Sequence, residues 1–158
     1  MEQEVWVHGN SFKIENSFPV QVSYRGFGGV FGPVAGEGWP GPYGDKIFFL
    51  HYSIPITYTG NSLRTGIKLD RILVASNLSS PHIQFVSLYE GFNPLGSRIA
   101  VYPSGDSGHS VTREISVPRE YANIKSSLGV TFGIATGASP TSRLIKNIEI
   151  HSVGIRTL

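Results

Sequence analysis

Residues 46–56 read KIFFLHYSIPI, the longest run of large apolar and aromatic side chains in the sequence. Because side chains alternate between the two faces of a strand, one face would carry Phe48, Leu50, Tyr52 and Ile54. The opposite face would carry Phe49, His51 and Ser53. We expect a central strand that is largely buried on both faces. Proline cannot donate to a sheet ladder, so Pro55 should end the strand.

Similar alternating runs recur along the chain, separated by turn residues. They predict strands at 4–8, 12–15, 18–25, 29–31, 67–75, 82–90, 97–102, 111–117, 128–134 and 144–156. In the last of these the apolar positions change parity between Ile150 and Val153, which predicts a β-bulge near His151. The only helix candidate is a short stretch at 118–126.

The chain of 158 residues is long enough for one domain with one core. It contains 19 glycines, 10 prolines, seven tyrosines and nine phenylalanines, a composition that favours turns and strands over helices. Without helices to make parallel crossovers, the strands should pair antiparallel. We predict an all-β fold, an antiparallel β-sandwich of jelly-roll type, with a closed β-barrel as the second choice.

Charge and composition bear on partners and location. The net charge of +2 comes from scattered residues without a basic cluster, so nucleic acid is not an expected partner. No run of 18 apolar residues is present and the first residues do not resemble a signal peptide, so no membrane association is expected. Cysteine is absent, which excludes disulfides and cysteine metal sites. Together these features favour a cytoplasmic protein.

The opening WVHGN, residues 6–10, resembles the start of a family of small β domains from bacteria and fungi. Further segments similar to that family are 25–31 (RGFGGVF), 49–55 (FLHYSIP), 70–75, 89–91, 128–134 and 148–155. The sequence departs from the family by a longer Gly/Pro loop at 34–44. The resemblance implies a β-sandwich and carries no established activity.

The first functional hypothesis is a non-enzymatic binding protein, lectin-like or specific for a small molecule. The Gly/Pro-rich segment 26–45 is long for a loop of a compact domain, and such loops are often functional. Aromatic faces beside Asp or Asn acceptors suit glycans, and apolar pockets with few polar groups suit small metabolites. The contact candidates are Trp39, Tyr43, Asp45, Tyr89, Glu90 and Asn93.

The second hypothesis is a small enzyme without a cofactor, a cyclase or isomerase of secondary metabolism. Such an enzyme encloses an apolar substrate and places one or two acid or base groups against it. His51, Tyr52 and Tyr89 are the catalytic candidates, although a buried, hydrogen-bonded core histidine and a core tyrosine are the favoured interpretation of the first two. The third hypothesis is a structural module that forms a homo-oligomer through an edge strand.

No cofactor is expected. The five histidines form no H-x-H or H-x-x-x-H pair, so a metal site would have to be assembled from separate strands. Asp45, Glu90 and Asp106 lie at or near strand ends, where they could ligate calcium together with backbone carbonyls. They do not have the spacing of a calcium loop.

Overall fold

The computed structural model describes residues 3–33, 46–56, 66–77, 82–91, 93–101, 111–119, 123–125, 127–136 and 147–158. Thirteen strands lie in these ranges. They are β1 (Gln3–His8), β2 (Phe12–Glu15), β3 (Gln21–Arg25), β4 (Gly28–Gly32), β5 (Lys46–Ile54), β6 (Ile67–Asn77), β7 (His82–Glu90), β8 (Asn93–Pro94), β9 (Ile99–Ala100), β10 (Val111–Ser116), β11 (Asn123–Ile124), β12 (Leu128–Thr136) and β13 (Ile148–Thr157).

The strands form two antiparallel sheets, named here after their middle strands. The β13 sheet has the order β10-β6-β13-β4-β3, with β1 also paired to β13 and β11 to β6. The β12 sheet has the order β2-β5-β12-β7-β8, with β9 also paired to β7. Chain order alternates between the sheets as in a jelly roll: β4, β6, β10 and β13 belong to one, and β5, β7, β9 and β12 to the other. The predicted jelly-roll sandwich is therefore confirmed. Pairings among the described strands do not join the sheets, so the alternative of a closed barrel is wrong.

The core lies between the two sheets and is built by the alternation of each strand. In β5 the predicted inward set is confirmed, because Phe48, Leu50, Tyr52 and Ile54 are all buried. Pro55 follows the strand directly, as expected. The expectation of burial on both faces is wrong: Ser53 is exposed, and Phe49 and His51 are half-buried. That second face is the outer surface of a sandwich, whose sheets bury one face only.

Register also confirms the bulge in the last strand. Ile150 lies opposite Ser76 and Ser152 lies opposite Ala75, which leaves His151 as the extra residue. The helix predicted at 118–126 is wrong for residues 123 and 124, which form β11 and pair with the start of β6. Within the described ranges, no helix is long and apolar enough to cross a membrane.

The WVHGN segment acts as a clamp between two turns. Asn10 donates its backbone N–H to His8 Nδ1 at 3.1 Å, so Nε2 carries the ring proton and donates to the Gly26 carbonyl at 3.0 Å. The Asn10 side-chain amide donates to the Arg25 carbonyl at 2.7 Å. The Gly9 N–H donates to the carbonyl of the bulged residue in β13 at 2.8 Å. These bonds tie the β1–β2 turn to the β3–β4 turn and to the last strand, which is a structural role.

Candidate functional site

On the outer face of the β12 sheet, residues of β12 lie between side chains of the two neighbouring strands, an arrangement named here the trench. Its floor is the outward side of β12, formed by Gly129, Thr131 and Gly133, because the intervening residues of that strand point into the core. Two of these three floor residues have no side chain. The walls come from the paired strands: β5 contributes Phe49, His51 and Ser53, and β7 contributes Phe85, Ser87 and Tyr89.

The two floor glycines differ in what lies above them. A Cβ built on Gly133 would overlap the ring of Phe85, so the trench is filled at that end. A Cβ built on Gly129 would lie 3.5 Å from the nearest atom, Tyr89 Cβ, which is an ordinary contact. The open part of the trench therefore lies over Gly129, between Ser53 and Tyr89.

The filled end is an aromatic cluster. The Phe49 and Phe85 rings have centroids 5.9 Å apart, and the Arg98 guanidinium lies 4.1 Å from the Phe85 centroid in a cation–π contact. On its other side, Phe49 stacks against the His51 ring at 6.5 Å. The cluster gives the trench a rigid apolar end and fixes one face of the imidazole.

His51 lies between a carboxylate and a hydroxyl. Its Nε2 is 3.0 Å from a Glu15 carboxylate oxygen, and its Nδ1 is 2.8 Å from Thr131 Oγ1. In the neutral ring, a carboxylate can only accept, so Nε2 carries the proton and Nδ1 accepts the Thr131 hydroxyl proton. The three groups thus form a carboxylate–imidazole–hydroxyl relay across β2, β5 and β12. The His51 side chain is 40% exposed and that of Glu15 is 70% exposed, so solvent weakens the contact between them.

The relay has the order of groups that activates a hydroxyl nucleophile, but its setting differs from that of a hydrolase. Thr131 is 6% exposed and lies mid-strand, between β5 and β7. Because β12 pairs on both sides, its ladder uses the neighbouring backbone N–H groups, which leaves none to stabilise an oxyanion. The arrangement is a fixed, hydrogen-bonded polar edge on the outer face of the sheet, without the oxyanion donors that acyl transfer requires at Thr131.

Tyr52 lies on the other face of β5 from His51. It is 1% exposed, and its hydroxyl donates to the Gly9 carbonyl at 3.1 Å, which links the core to the WVHGN clamp. Burial raises the pKa of Tyr52, so the phenol stays protonated. One ligand on the outer face of the sheet cannot contact both residues, and the three catalytic candidates do not converge on one site.

Tyr89 is the candidate that lies beside the open part of the trench. Its partner across the sheet is Gly129 on one side and Pro94 on the other. From strand spacings, its Cα is about 12 Å from that of His51 on the same face. A ligand the size of one or two sugar rings can therefore span the distance between the two side chains.

The remaining predicted contacts fall in two groups. Glu90 accepts a 2.7 Å hydrogen bond from the Lys125 backbone N–H, and Asn93 is exposed opposite it on β8. Both lie at the rim of the sheet, next to Tyr89. Three further ligand candidates, Trp39, Tyr43 and Asp45, and the possible calcium ligand Asp106 lie outside the described residues. In the part of the chain that is described, His, Asp and Glu side chains do not cluster in threes.

Sequence reasoning missed Glu15 and Thr131, the two partners of His51. They are 36 and 80 residues away from it in the chain, and no local pattern marks either one. Only the pairing of β2 and β12 on either side of β5 brings them together. Comparison with known proteins adds no assignment: no family model matches the chain, and no curated protein is similar to it. The resemblance to the domains that open with WVHGN stays a prediction.

Proposed function

We propose that the protein is a non-enzymatic, lectin-like binding protein, and that the trench over β12 holds a carbohydrate. The observation that carries the proposal is the open floor at Gly129 between the Tyr89 side chain and the polar group of His51 and Thr131. It combines an aromatic side chain with fixed hydrogen-bonding groups on one rigid surface. Tyr89 offers an apolar ring to the C–H face of a sugar, and Ser53 and the Glu15 carboxylate offer polar atoms to its hydroxyls, since both ring nitrogens of His51 are engaged with Glu15 and Thr131.

The backbone of the site supports this function. The trench is built on three paired strands and not on loops, so its polar groups are held in place before a ligand binds. Preorganisation of this kind lowers the entropic cost of binding. The 70% exposed Glu15 side chain extends the polar edge beyond His51 and keeps the imidazole in one orientation.

The test is a glycan-array screen followed by calorimetry on the best glycan, with the full chain and three variants. Gly129→Val fills the open floor, and Tyr89→Ala removes the aromatic wall. Tyr24→Ala is the matched control, because Tyr24 is an exposed tyrosine on the β13 sheet. We expect each trench variant to weaken binding at least tenfold and the control to bind as the unmodified chain does.

Two results would overturn the proposal. One is an array without any bound glycan. The other is a bound glycan whose affinity is unchanged by both Gly129→Val and Tyr89→Ala, since the ligand would then lie elsewhere. Folding of each variant is checked by circular dichroism before the binding measurement.

A second candidate, an acid–base enzyme without a cofactor, is favoured by one observation, the Glu15–His51–Thr131 relay. It predicts that a ligand bound in the trench is converted over time, and that His51→Gln abolishes the conversion while binding persists. If the NMR spectra of a bound glycan stay unchanged over days, the glycan is bound but not converted, and the enzyme candidate is refuted. A cytoplasmic location and self-association through an edge strand stay predictions.

A further inference from the structure

The filled end of the trench carries a guanidinium in a fixed position. Arg98 comes two residues before Ala100, which pairs with Phe85. Because side chains alternate, Arg98 and Ala100 belong to the same outer face of the β12 sheet. The Arg98 Cζ lies 4.1 Å from the centroid of the Phe85 ring. This cation–π contact orients the guanidinium, and the Arg98 side chain stays exposed to solvent.

The charge of Arg98 is not neutralised by the residues that the structure describes. Arg71 and Arg156, on the other sheet, both pair with the carboxylate of Glu114. Across the described ranges, no Asp or Glu forms an ion pair with Arg98. The contact with Phe85 uses the flat face of the guanidinium, so the N–H groups along its edge remain available to an anion.

Arg98 lies on the same side of the trench as Tyr89. Phe85 and Tyr89 are four residues apart on β7, so their Cα atoms are about 13 Å apart. Ser87 lies between them on the same face. This side therefore presents an aromatic ring, a hydroxyl and a guanidinium in a row, over the length of a short oligosaccharide.

The opposite side of the trench does not offer a second position for the same acid group. The Glu15 carboxylate lies there, 3.0 Å from His51 Nε2, and it repels an anion. Lys13 is the cation on that side, where it lies opposite His51. The strands β2 and β9 are separated by four strand spacings, about 19 Å, so Lys13 and Arg98 cannot hold one carboxylate together. A ligand with one acid group and several hydroxyls is therefore oriented with its acid towards Arg98.

We propose that the glycan in the trench ends in an acidic sugar whose carboxylate pairs with Arg98. This inference rests on the proposed function and names the class of carbohydrate. Phe49 and Phe85 fill the trench at this end, so the acidic sugar is the last ring of the glycan and the remaining rings lie towards Gly129 and Tyr89. The guanidinium has a planar fork of donors, which matches the two oxygens of a carboxylate.

A simpler role for Arg98 is to cover an apolar ring. Phe85 is buried although it belongs to the outer face, and the Arg98 side chain lies over it. That role requires no ligand. It predicts that substitution of Arg98 changes the stability of the chain and leaves the preference between acidic and neutral glycans unchanged.

The experiment compares glycans that differ only in charge. An array carries trisaccharides that end in glucuronate, galacturonate or sialate, each beside its methyl ester, which keeps the ring and the hydroxyls. We expect the full chain to bind the best acid roughly fivefold more tightly than its ester in calorimetry, the effect of one exposed ion pair. Salt screens such a pair, so the preference should shrink at about 1 M NaCl.

Three variants locate the origin of the preference. Arg98→Gln removes the charge, and Arg98→Lys keeps the charge without the planar fork. Arg25→Gln is the matched control, because Arg25 is an exposed arginine of β3 on the other sheet. We expect equal affinity for acid and ester in Arg98→Gln, an intermediate preference in Arg98→Lys and an unchanged preference in Arg25→Gln. Affinity for the ester should stay the same in all three, which shows that the trench is intact.

Equal affinity of the unmodified chain for acid and ester, with binding still weakened by Gly129→Val, would overturn the inference and leave the proposed function in place. A preference for the acid that survives Arg98→Gln would also overturn it, because another cation such as Lys13 would then hold the carboxylate. So would an equal loss of acid and ester binding in Arg98→Gln, since Arg98 would then only support the packing of Phe85. An array without any bound glycan would instead overturn the proposed function itself, and the inference with it.

Discussion

Alanine at the two outward glycines of β12 should change the stability in opposite directions. Gly129 and Gly133 lie four residues apart on the same strand and the same face, and neither has a positive φ. At Gly129 the new Cβ finds ordinary van der Waals space. Glycine in a strand costs about 0.5–1 kcal/mol relative to alanine, so Gly129→Ala should raise the free energy of unfolding by about that amount.

At Gly133 the new methyl group overlaps the Phe85 ring. The ring can leave only by giving up its contacts with Arg98 and Phe49. Forced displacement of a packed side chain typically costs about 1–3 kcal/mol, which exceeds the gain from removing a glycine. We therefore expect Gly133→Ala to be net destabilising by about 0.5–2 kcal/mol.

Urea unfolding followed by far-UV circular dichroism measures both changes, and thermal scans should show shifts of about 2–4 °C per kcal/mol. An unchanged m-value would show that the native state, and not the compactness of the unfolded chain, accounts for the difference. Gly133→Ala as stable as Gly129→Ala would refute the reasoning, because Phe85 would then not be held over β12.

Two further perturbations probe the hydrogen bonds described above. Tyr52→Phe keeps the ring in the core but removes the donor to the Gly9 carbonyl. Urea unfolding should therefore show that the free energy of unfolding falls by about 1–2 kcal/mol. An unchanged midpoint would mean that this hydrogen bond does not contribute to stability. Hydrogen bonds from Arg156 hold the pKa values of Glu4 and Glu114 below the ordinary 4.5. Groups whose folded pKa is lowered stabilise the fold above their unfolded pKa, and that stabilisation is lost as pH falls through the folded pKa. Arg156→Gln should therefore lower the free energy of unfolding at neutral pH and change it little well below pH 4.5. An equal loss of stability at both pH values would show that the stabilisation does not come from these two carboxylates.

The alternation of apolar and polar residues predicts the fold well, because this pattern is a property of the local sequence. The inward set of β5 and the bulge at His151 both follow from the parity of apolar residues, and both are confirmed. The outer face of β5 was predicted wrongly, because Phe49 is apolar and yet lies on the outside, where it packs against Phe85. An apolar side chain does not by itself reveal which face of a sheet it covers.

The candidate sites depend on register, which local sequence does not contain. Tyr89 is predictable as a site residue because it ends a strand, and it lies beside the open floor of the trench. The relay of Glu15, His51 and Thr131 needs three strands that are far apart in the chain.

The order in which the strands are made has a consequence for synthesis of the chain. β12 and β13 are the middle strands of their sheets, and they leave the ribosome after the other eleven strands that the structure describes. Until they emerge, the nascent chain can form hairpins such as β3–β4, but β1, β6 and β5 lack the partners that close the core. Apolar strand edges are exposed during that interval, and they are open to pairing with other chains. We therefore expect the two sheets to close only after β13 has emerged, so translation speed and chaperones should affect the yield of folded chain.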